Sequence, residues 1–255
     1  HALEEKVAEW KGTQAALSFA NGYATAIGVL GAFLTKGDVV ILDKLCHASL
    51  IDGARQSGAT LRVYPHNDLN KLEDLLRHYR ERLAGSSRLI VVTESIFSMD
   101  GDRAPLPEII NLVEQHHALL LLDEAHAVGI LGSGGQGLAE ELGIQDRVTF
   151  QMGTLGKAIG SGGGYVAASR SWIDLLLNKA RPFIYSTAPP PAQAATPLCG
   201  IEVIPPSRGE APRNRLWSNI SRLAELLGKK PSSAIMPVIL GTNEAALNAS
   251  LALLE

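Results

Sequence analysis

An apolar tetrad followed by two acids and a histidine, Leu119-Leu120-Leu121-Leu122-Asp123-Glu124-Ala125-His126, has the composition of a strand buried on both faces. Such strands belong to parallel sheets, because helices cover both sides of a parallel sheet with apolar side chains. Other short apolar runs alternate with longer amphipathic segments along the whole chain. This alternation is typical of an α/β fold, and we expect a mainly parallel, seven-stranded sheet flanked by helices.

The predicted elements follow from these runs and from the turn residues between them. The strands are assigned to Ala15–Phe19, Val39–Leu42, Leu61–Tyr64, Leu89–Thr93, Leu119–Leu122, Val148–Met152 and Gly164–Ala168. Helices are assigned to Tyr23–Leu34, His47–Ser57, Leu69–Leu83, Leu106–His116, Leu138–Leu142 and Ser171–Ala180.

A domain boundary is predicted near residue 205, where the pattern changes to a charged helical stretch, Arg213–Leu227. A strand-like run, Ile235–Leu240, and a helical stretch, Asn243–Glu255, follow it. We expect a large domain at residues 1–205 and part of a smaller α+β domain at 206–255. Both ends have a helical pattern without caps, so the sequence is interpreted as an incomplete copy of a longer protein.

Composition narrows the class of protein. The chain has 255 residues, 46% of them hydrophobic and 19% charged, which is enough for a sizeable core. A net charge of -3 argues against nucleic-acid binding, and no apolar run reaches the roughly 18 residues that span a bilayer. Cys46 and Cys199 lack metal or disulfide spacing and suit a reducing compartment. We expect a cytoplasmic protein without a metal site or a membrane partner.

Lys157 is a candidate for covalent chemistry, since it lies in Gly153-Thr154-Leu155-Gly156-Lys157-Ala158-Ile159-Gly160 after a predicted strand. A lysine amine becomes a nucleophile only when burial or nearby positive charge lowers its pKa, so we expect a buried side chain. A solvated surface lysine is the ordinary alternative. Asp123 ends an apolar strand, where a carboxylate is costly unless it is paired. A protonated pyridinium nitrogen would be such a partner, with His126 near the ring's phenolic oxygen; otherwise Asp123 caps the next helix.

The string Asp123-Glu124-Ala125-His126 also matches the Walker B box of helicase-type ATPases. That class needs a Gly-x-x-x-x-Gly-Lys-Ser/Thr loop to hold phosphates and magnesium. The loop at Gly153–Ala158 has too few residues between its glycines, and alanine replaces the magnesium-binding hydroxyl. A nucleic-acid-dependent ATPase is therefore a remote alternative.

Further polar residues follow strands or precede helices. Ser98 lies in a strand-end loop, although an Asp-Gly turn also explains that composition. His47 begins a helix and could stack on an aromatic ring or lie on the surface. The Asn21-Gly22-Tyr23 segment could bind phosphate at a helix N-terminus or form a plain turn. Ser186 and Thr187 precede a proline run and could bind phosphate, but the favoured interpretation is that they cap the next helix.

Taken together, these segments resemble the α-oxoamine synthases, enzymes that use pyridoxal 5'-phosphate (PLP) and share the aspartate-aminotransferase fold. The resemblance runs nearly from end to end. Its most specific strings are Phe97-Ser98-Met99-Asp100-Gly101-Asp102, Asp123-Glu124-Ala125-His126 and Gly153-Thr154-Leu155-Gly156-Lys157-Ala158, with His66-Asn67-Asp68 in support.

The resemblance implies a role for each candidate residue. Lys157 would bind the cofactor covalently, Asp123 would pair with the ring nitrogen, and His47 would stack on the ring. Ser98 and His126 would contact the phenolic oxygen. The phosphate would be bound by Thr154 and the Gly22–Tyr23 backbone, with Ser186 and Thr187 reaching over from the second subunit of a homodimer.

The implied reaction is a decarboxylative condensation of an amino acid, first of all L-alanine, with an acyl-CoA or a carrier-protein thioester. The segment after His126, Ala127-Val128-Gly129, does not support alanine as the substrate, because it is similar to the segment found in branches of the family that use glycine. Glycine and serine therefore remain open as substrates.

Overall fold

The computed structural model describes residues 1–83 and 85–254. In this part of the chain, seven strands form one sheet: β1 Ala15–Phe19, β2 Val39–Asp43, β3 Thr60–Tyr64, β4 Leu89–Glu94, β5 Leu119–Asp123, β6 Phe150–Thr154 and β7 Gly164–Ala168. Their spatial order is β1-β7-β6-β5-β4-β2-β3. The pairs from β3 to β6 are parallel, whereas β7 is antiparallel to both of its neighbours. The predicted mainly parallel sheet is confirmed.

Helices precede, connect and follow these strands. They are α1 Ala2–Lys11, α2 Gly22–Phe33, α3 Ala48–Gln56, α4 Leu69–Arg80, α5 Leu106–Gln115, α6 Leu138–Glu141, α7 Arg170–Lys179, α8 Arg181–Ile184, α9 Pro191–Val203, α10 Pro206–Leu226 and α11 Asn243–Ala252. The predicted helix at Asn243–Glu255 thus ends at Ala252, and Glu255 lies outside the described residues.

Successive strand residues face two different cores. Val40 and Leu42 of β2 pack with α2, α3 and α7, whereas Val39 and Ile41 pack with α4 and α5 on the opposite face. This is why the strands are apolar at nearly every position instead of alternating. A stacked pair, Phe33 and Phe150, joins α2 to the sheet with ring centroids 5.0 Å apart. A third cluster packs α1 and α9 beside β7.

Two strand predictions need correction. The strand predicted at Val148–Met152 begins two residues later, since Gln145–Arg147 form a 3-10 turn and the Thr149 hydroxyl, not its backbone, accepts the Leu120 amide. The run Ile235–Leu240 lies within the described residues and forms no strand. Ile239 is 80% exposed there. An apolar run without a neighbouring strand to pair with does not make a sheet.

The helices near the predicted boundary also differ from expectation. The helix predicted at Arg213–Leu227 begins earlier, at Pro206, and continues through Pro212. The residue that precedes α9 is Pro190, so the capping role favoured for Ser186 and Thr187 is wrong. Residue 205 lies between α9 and α10, and the domain boundary there stays a prediction. Among the described residues, no helix is both long and apolar enough to cross a membrane.

Candidate active site

A cleft of about 190 Å³ opens at the carboxyl ends of β4, β5 and β6. Ligands of open α/β sheets bind at this edge, because the loops after parallel strands converge there. Seven of the ten predicted site residues line it, namely Lys157, Asp123, His126, His47, Thr154, Gly22 and Tyr23. These residues come from four different segments of the sequence, so the fold itself assembles the cleft.

Lys157 and His126 meet on one side of this cleft. The Lys157 Nζ lies 2.6 Å from the His126 Nε2. Desolvation lowers the pKa of the lysine amine, against the opposing attraction of Asp123 and Glu94. Desolvation, then Lys157 and His47, lowers the pKa of His126 to about 4, so its imidazole is neutral and shares a hydrogen bond with the Lys157 Nζ. Lys157 as a residue is exposed in this chain and not buried as expected, although it lines the cleft and its amine is partly desolvated there.

Asp123 lies at the floor of the cleft, at the end of β5. The side chain is 6% exposed, and its Oδ1 accepts a hydrogen bond from the Ala125 amide at 2.9 Å. Desolvation raises the pKa of this carboxyl to about 6, which the Ala125 hydrogen bond and Lys157 partly offset. The alternative of a helix cap is wrong, because the next helix, α6, begins at Leu138 and Gly137 precedes it.

Glu94 is a buried acid of the cleft to which the sequence reasoning gave no role. It ends β4, directly beside Asp123 on β5 in the register of the two strands. Its Oε1 accepts a hydrogen bond from the His47 backbone amide. Desolvation and the charge of Asp123 raise the pKa of this carboxyl to about 8. The signal that identifies Asp123, an acid that ends an apolar strand, applies equally to Glu94.

His47 forms part of the cleft wall at the start of α3. Its Nδ1 lies 2.8 Å from the Ser49 hydroxyl and accepts the Ser49 amide at 3.3 Å. The ring is thus fixed from its own helix, while Glu94 fixes its backbone. His47 is exposed, as the alternative of a surface histidine predicts, and it also lines the cleft.

The opposite end of the cleft is built from backbone amides and one hydroxyl. Gly22 and Tyr23 are the first residues of α2, where amides lack an acceptor within the helix. Asn21 caps this helix by accepting the Ala24 amide at 2.8 Å. A Cβ built on Gly22 would lie 3.8 Å from the Thr154 Cβ, so Thr154 is a close neighbour. Such a helix N-terminus favours an anion.

Three predicted residues do not line this cleft. Ser98 lies half-buried in the loop after β4. Ser186 and Thr187 are exposed and line a separate cavity of about 730 Å³, together with the start of α1 and with Phe19. The predicted contacts of these three residues with the cofactor are therefore not formed by the cleft of a single chain and stay predictions. Among the described residues, no group of three or more His, Cys, Asp or Glu side chains could hold a metal ion.

A lysine, a buried aspartate and a helix N-terminus around one cleft of a mainly parallel sheet define an aminotransferase-type architecture. The profile of the aminotransferase class I and II family matches residues 1–255. The chain belongs to this family, and the resemblance drawn from its motifs is confirmed. This match leaves the ATPase alternative without support.

The relatives are more specific. The chain is 48% identical over 262 residues to the 8-amino-7-oxononanoate synthase of Anaeromyxobacter dehalogenans and 43% identical over 260 residues to that of Geobacter sulfurreducens. All of this chain is covered in both matches, but it spans only 64% and 66% of those proteins.

Solved structures extend the likeness. A serine palmitoyltransferase from S. paucimobilis, solved with PLP and myriocin bound, has a TM-score of 0.88 at 32% identity, over 95% of this chain and 63% of that chain. An 8-amino-7-oxononanoate synthase from Francisella tularensis has a TM-score of 0.82 at 26% identity, over 99% of this chain and 74% of that chain.

Proposed function

We propose that the chain binds PLP in the Lys157–Asp123 cleft and acts as an 8-amino-7-oxononanoate synthase. The overall reaction joins L-alanine to pimeloyl-CoA, or to a carrier-protein thioester, with release of carbon dioxide and the thiol. The observation that carries the proposal is that Lys157, Asp123 and the N-terminus of α2 line one cleft. Names of the relatives support the choice of reaction.

The residues present fit this cofactor in charge and in chemistry. Asp123 is a buried carboxylate that gains from a cation, and a protonated pyridinium nitrogen is one. The amides of Gly22 and Tyr23 and the Thr154 hydroxyl suit the phosphate group. Lys157 supplies the amine for covalent attachment, and the His47 ring supplies a flat surface for stacking.

Bound PLP supplies an electron sink for a carbanion at the substrate α-carbon. Asp123 keeps the proton on the ring nitrogen, which maintains the electron demand of the ring. Lys157 Nζ takes the α-proton of alanine as general base, since its lowered pKa favours the neutral amine. The neutral His126 holds that amine by its hydrogen bond and directs it into the cleft.

A homodimer completes the proposal. Ser186 and Thr187, which lie away from the cleft of their own chain, would reach the phosphate of the second subunit. Ser98 would contact the phenolic oxygen from the loop after β4. The protein is expected to be cytoplasmic.

A second candidate is another α-oxoamine synthase that uses glycine or serine. The likeness to serine palmitoyltransferase structures and the Ala127-Val128-Gly129 segment favour it. Assays with alanine, glycine and serine against acyl thioesters of several chain lengths separate the two. Fastest turnover of alanine with pimeloyl-CoA supports the first candidate; fastest turnover of serine with a long acyl chain supports the second.

The Lys157→Ala variant tests cofactor attachment. We expect the wild-type protein with PLP to show a visible absorption band that borohydride removes, leaving a stable mass adduct on the peptide that contains Lys157. The variant should show neither, because it lacks the amine that bonds to the cofactor. Absorbance and peptide mass spectrometry make the measurement. Lys36→Ala, an exposed lysine after α2, is the matched control and should behave as wild type.

An adduct that persists on a different lysine in Lys157→Ala would remove Lys157 from this role. Wild-type protein without any band would contradict PLP binding altogether.

A further inference from the structure

His66 lies outside the cleft and forms a bridge between two acids from different segments of the chain. Its Nδ1 is 2.9 Å from the Asp43 Oδ1, and its Nε2 is 2.8 Å from the Asp102 Oδ2. Asp43 ends β2, and Asp102 lies in the loop that follows β4. These two carboxylates are the charged groups that face the ring, and the Phe97 ring packs edge-on against it at 4.4 Å.

A carboxylate oxygen within hydrogen-bond distance of each ring nitrogen favours two donors on one imidazole. A neutral imidazole has a single N–H, so one of its nitrogens would point a lone pair at a carboxylate. The neighbouring Asn67 Nδ2 has two N–H donors and lies 3.0 Å from the same Asp102 oxygen and 3.2 Å from the His66 Nε2. Even with a donor from Asn67, an unprotonated Nε2 would keep its lone pair 2.8 Å from the Asp102 carboxylate. A doubly protonated ring satisfies both contacts.

Asp43 organises the turn that leads to the cleft residue His47, and Asp102 organises the loop after β4. The Asp43 Oδ1 accepts the Leu45 amide at 2.8 Å, and its backbone oxygen accepts the Cys46 amide at 3.1 Å, which shapes the turn that ends at His47. The Asp102 backbone oxygen accepts the Phe97 amide at 3.1 Å and closes the loop that contains Ser98. The bridge therefore connects the turn before His47 to the Ser98 loop.

We propose that His66 is a positioning residue: as an imidazolium between Asp43 and Asp102, it holds the turn before the cleft residue His47 against the Ser98 loop. The part of this proposal that concerns cofactor contacts rests on the proposed function. The bridge also predicts pH sensitivity. Burial lowers the pKa of His66, but the hydrogen bonds and charges of Asp43 and Asp102 outweigh it and raise the pKa above the ordinary value. The bridge is complete at acidic pH and weakens as the pH rises through that raised value.

The protonation state is tested first, on cofactor-free protein. Histidine is labelled with ¹⁵N, and the ring shifts are followed with pH; the signals missing in His66→Gln assign the residue. We expect both ring nitrogens of His66 to be protonated at about pH 7.5, where an ordinary imidazole, with a pKa of about 6.5, is mostly neutral. A neutral His66 ring at this pH would overturn the imidazolium bridge.

Positioning is tested by amide hydrogen exchange of peptides that cover residues 43–47 and 97–102. In His66→Gln we expect exchange of both peptides to be about tenfold faster, as for the loss of a charged hydrogen bond. The strand β6 peptide should stay as in wild type, which excludes a general loss of stability. His78→Gln, an exposed histidine on α4, is the matched control. Unchanged exchange at residues 43–47 would overturn the positioning role.

Asp102→Asn keeps the proposal testable should His66→Gln fail to fold. An asparagine amide donates to a neutral imidazole, so we expect a neutral ring at about pH 7.5 with slow exchange retained. A ring that is still doubly protonated in this variant would overturn the bridge. These readouts need no bound PLP; if the protein fails to bind PLP, the proposed function fails while the bridge is still measured.

Discussion

Two buried acids on adjacent strands of the cleft differ in pKa. The pKa is raised to about 6 for Asp123 and to about 8 for Glu94. Two carboxylates that lie this near to each other do not both ionise readily, because the charge of each raises the pKa of the other. At neutral pH, Asp123 carries the negative charge and Glu94 is largely protonated. Glu94 thus orders the His47 backbone without competing with Asp123 for a cation.

This assignment predicts how Glu94→Gln changes stability with pH. A raised carboxyl pKa in the folded state means that the contribution of Glu94 is full below about pH 4.5 and is lost as the pH rises through about 8. From about pH 6 to about pH 9, the wild type should lose about 2–3 kcal/mol of unfolding free energy that the variant keeps. Urea unfolding of both cofactor-free proteins at several pH values makes the comparison.

Glu108→Gln is the matched control, because Glu108 is an acid on α5 outside the cleft, and it should leave the pH dependence unchanged. Asp38→Asn would not serve, because the Asp38 side chain accepts two backbone amides, those of Thr35 and Arg88. A constant difference between wild type and Glu94→Gln over this pH range would show that Glu94 is ionised in the folded protein.

At the residue level, motifs led to Lys157 and Asp123 because each lies within a few residues of a strand end. The role of Glu94 depends on the register of β4 against β5, which determines that its carboxyl lies beside Asp123. The His66 bridge depends on three loops that meet only in the folded chain. Neither arrangement is encoded by local spacing.

Among the elements, α2 contributes most directly to the cleft through its capped N-terminus. Asn21→Ala removes the acceptor for the Ala24 amide and should cost about 1 kcal/mol of stability. Because the first turn also supplies the Gly22 and Tyr23 amides, we expect roughly fivefold weaker PLP binding. Absorbance titration measures the affinity, and urea unfolding measures the stability.

Asp68→Ala is the matched control for this cap. Asp68 caps α4 by accepting the Lys71 amide at 2.9 Å, and neither residue lines the cleft. Its loss should lower stability by a similar amount but leave PLP affinity unchanged. Equal PLP affinity in both variants would argue against phosphate binding at α2.

The strands that were predicted well are those with an unbroken run of apolar residues. Apolar runs such as Val39–Asp43 pack on both faces, and their composition shows it. The run Ile235–Leu240 is also apolar, but it contains Pro237, which cannot donate to a strand ladder, and it has no pairing partner among the described residues. The starts of α9 and α10 are set by prolines at helix N-termini, positions where proline is tolerated.

At the scale of the whole molecule, we predict that a second subunit contributes Ser186 and Thr187 to the cleft. Because Ser186 and Thr187 lie away from their own cleft, PLP affinity should increase with protein concentration as monomers associate. A Ser186→Ala, Thr187→Ala double variant should associate but lose this gain. Sedimentation gives the mass, and absorbance titration at several protein concentrations gives the affinity.

Thr196→Ala serves as the control, since its hydroxyl donates within α9 to the Ala192 oxygen at 2.8 Å. A protein that stays monomeric while binding PLP tightly, or a double variant with wild-type affinity, would remove the two hydroxyls from the site.

The fold class followed from the sequence, but the strand order did not. Alternation of strands and helices indicates a parallel sheet without saying which strands are neighbours. The placement of β7 between β1 and β6 pairs the N-terminal strand with a segment from the second half of the chain. Such a long-range pairing has no signature in local periodicity.

That placement has a consequence for biosynthesis on the ribosome. The first strand has no neighbour other than β7 in the described sheet, so this edge stays unpaired until residues 164–168 emerge from the exit tunnel. Gly22 and Thr154 flank the anion end of the cleft, and β7 lies between the two strands, β1 and β6, that lead to them. A nascent chain arrested before β7 would therefore expose the apolar edge of β1 to chaperones. It would also lack the strand that joins the two sides of the PLP cleft.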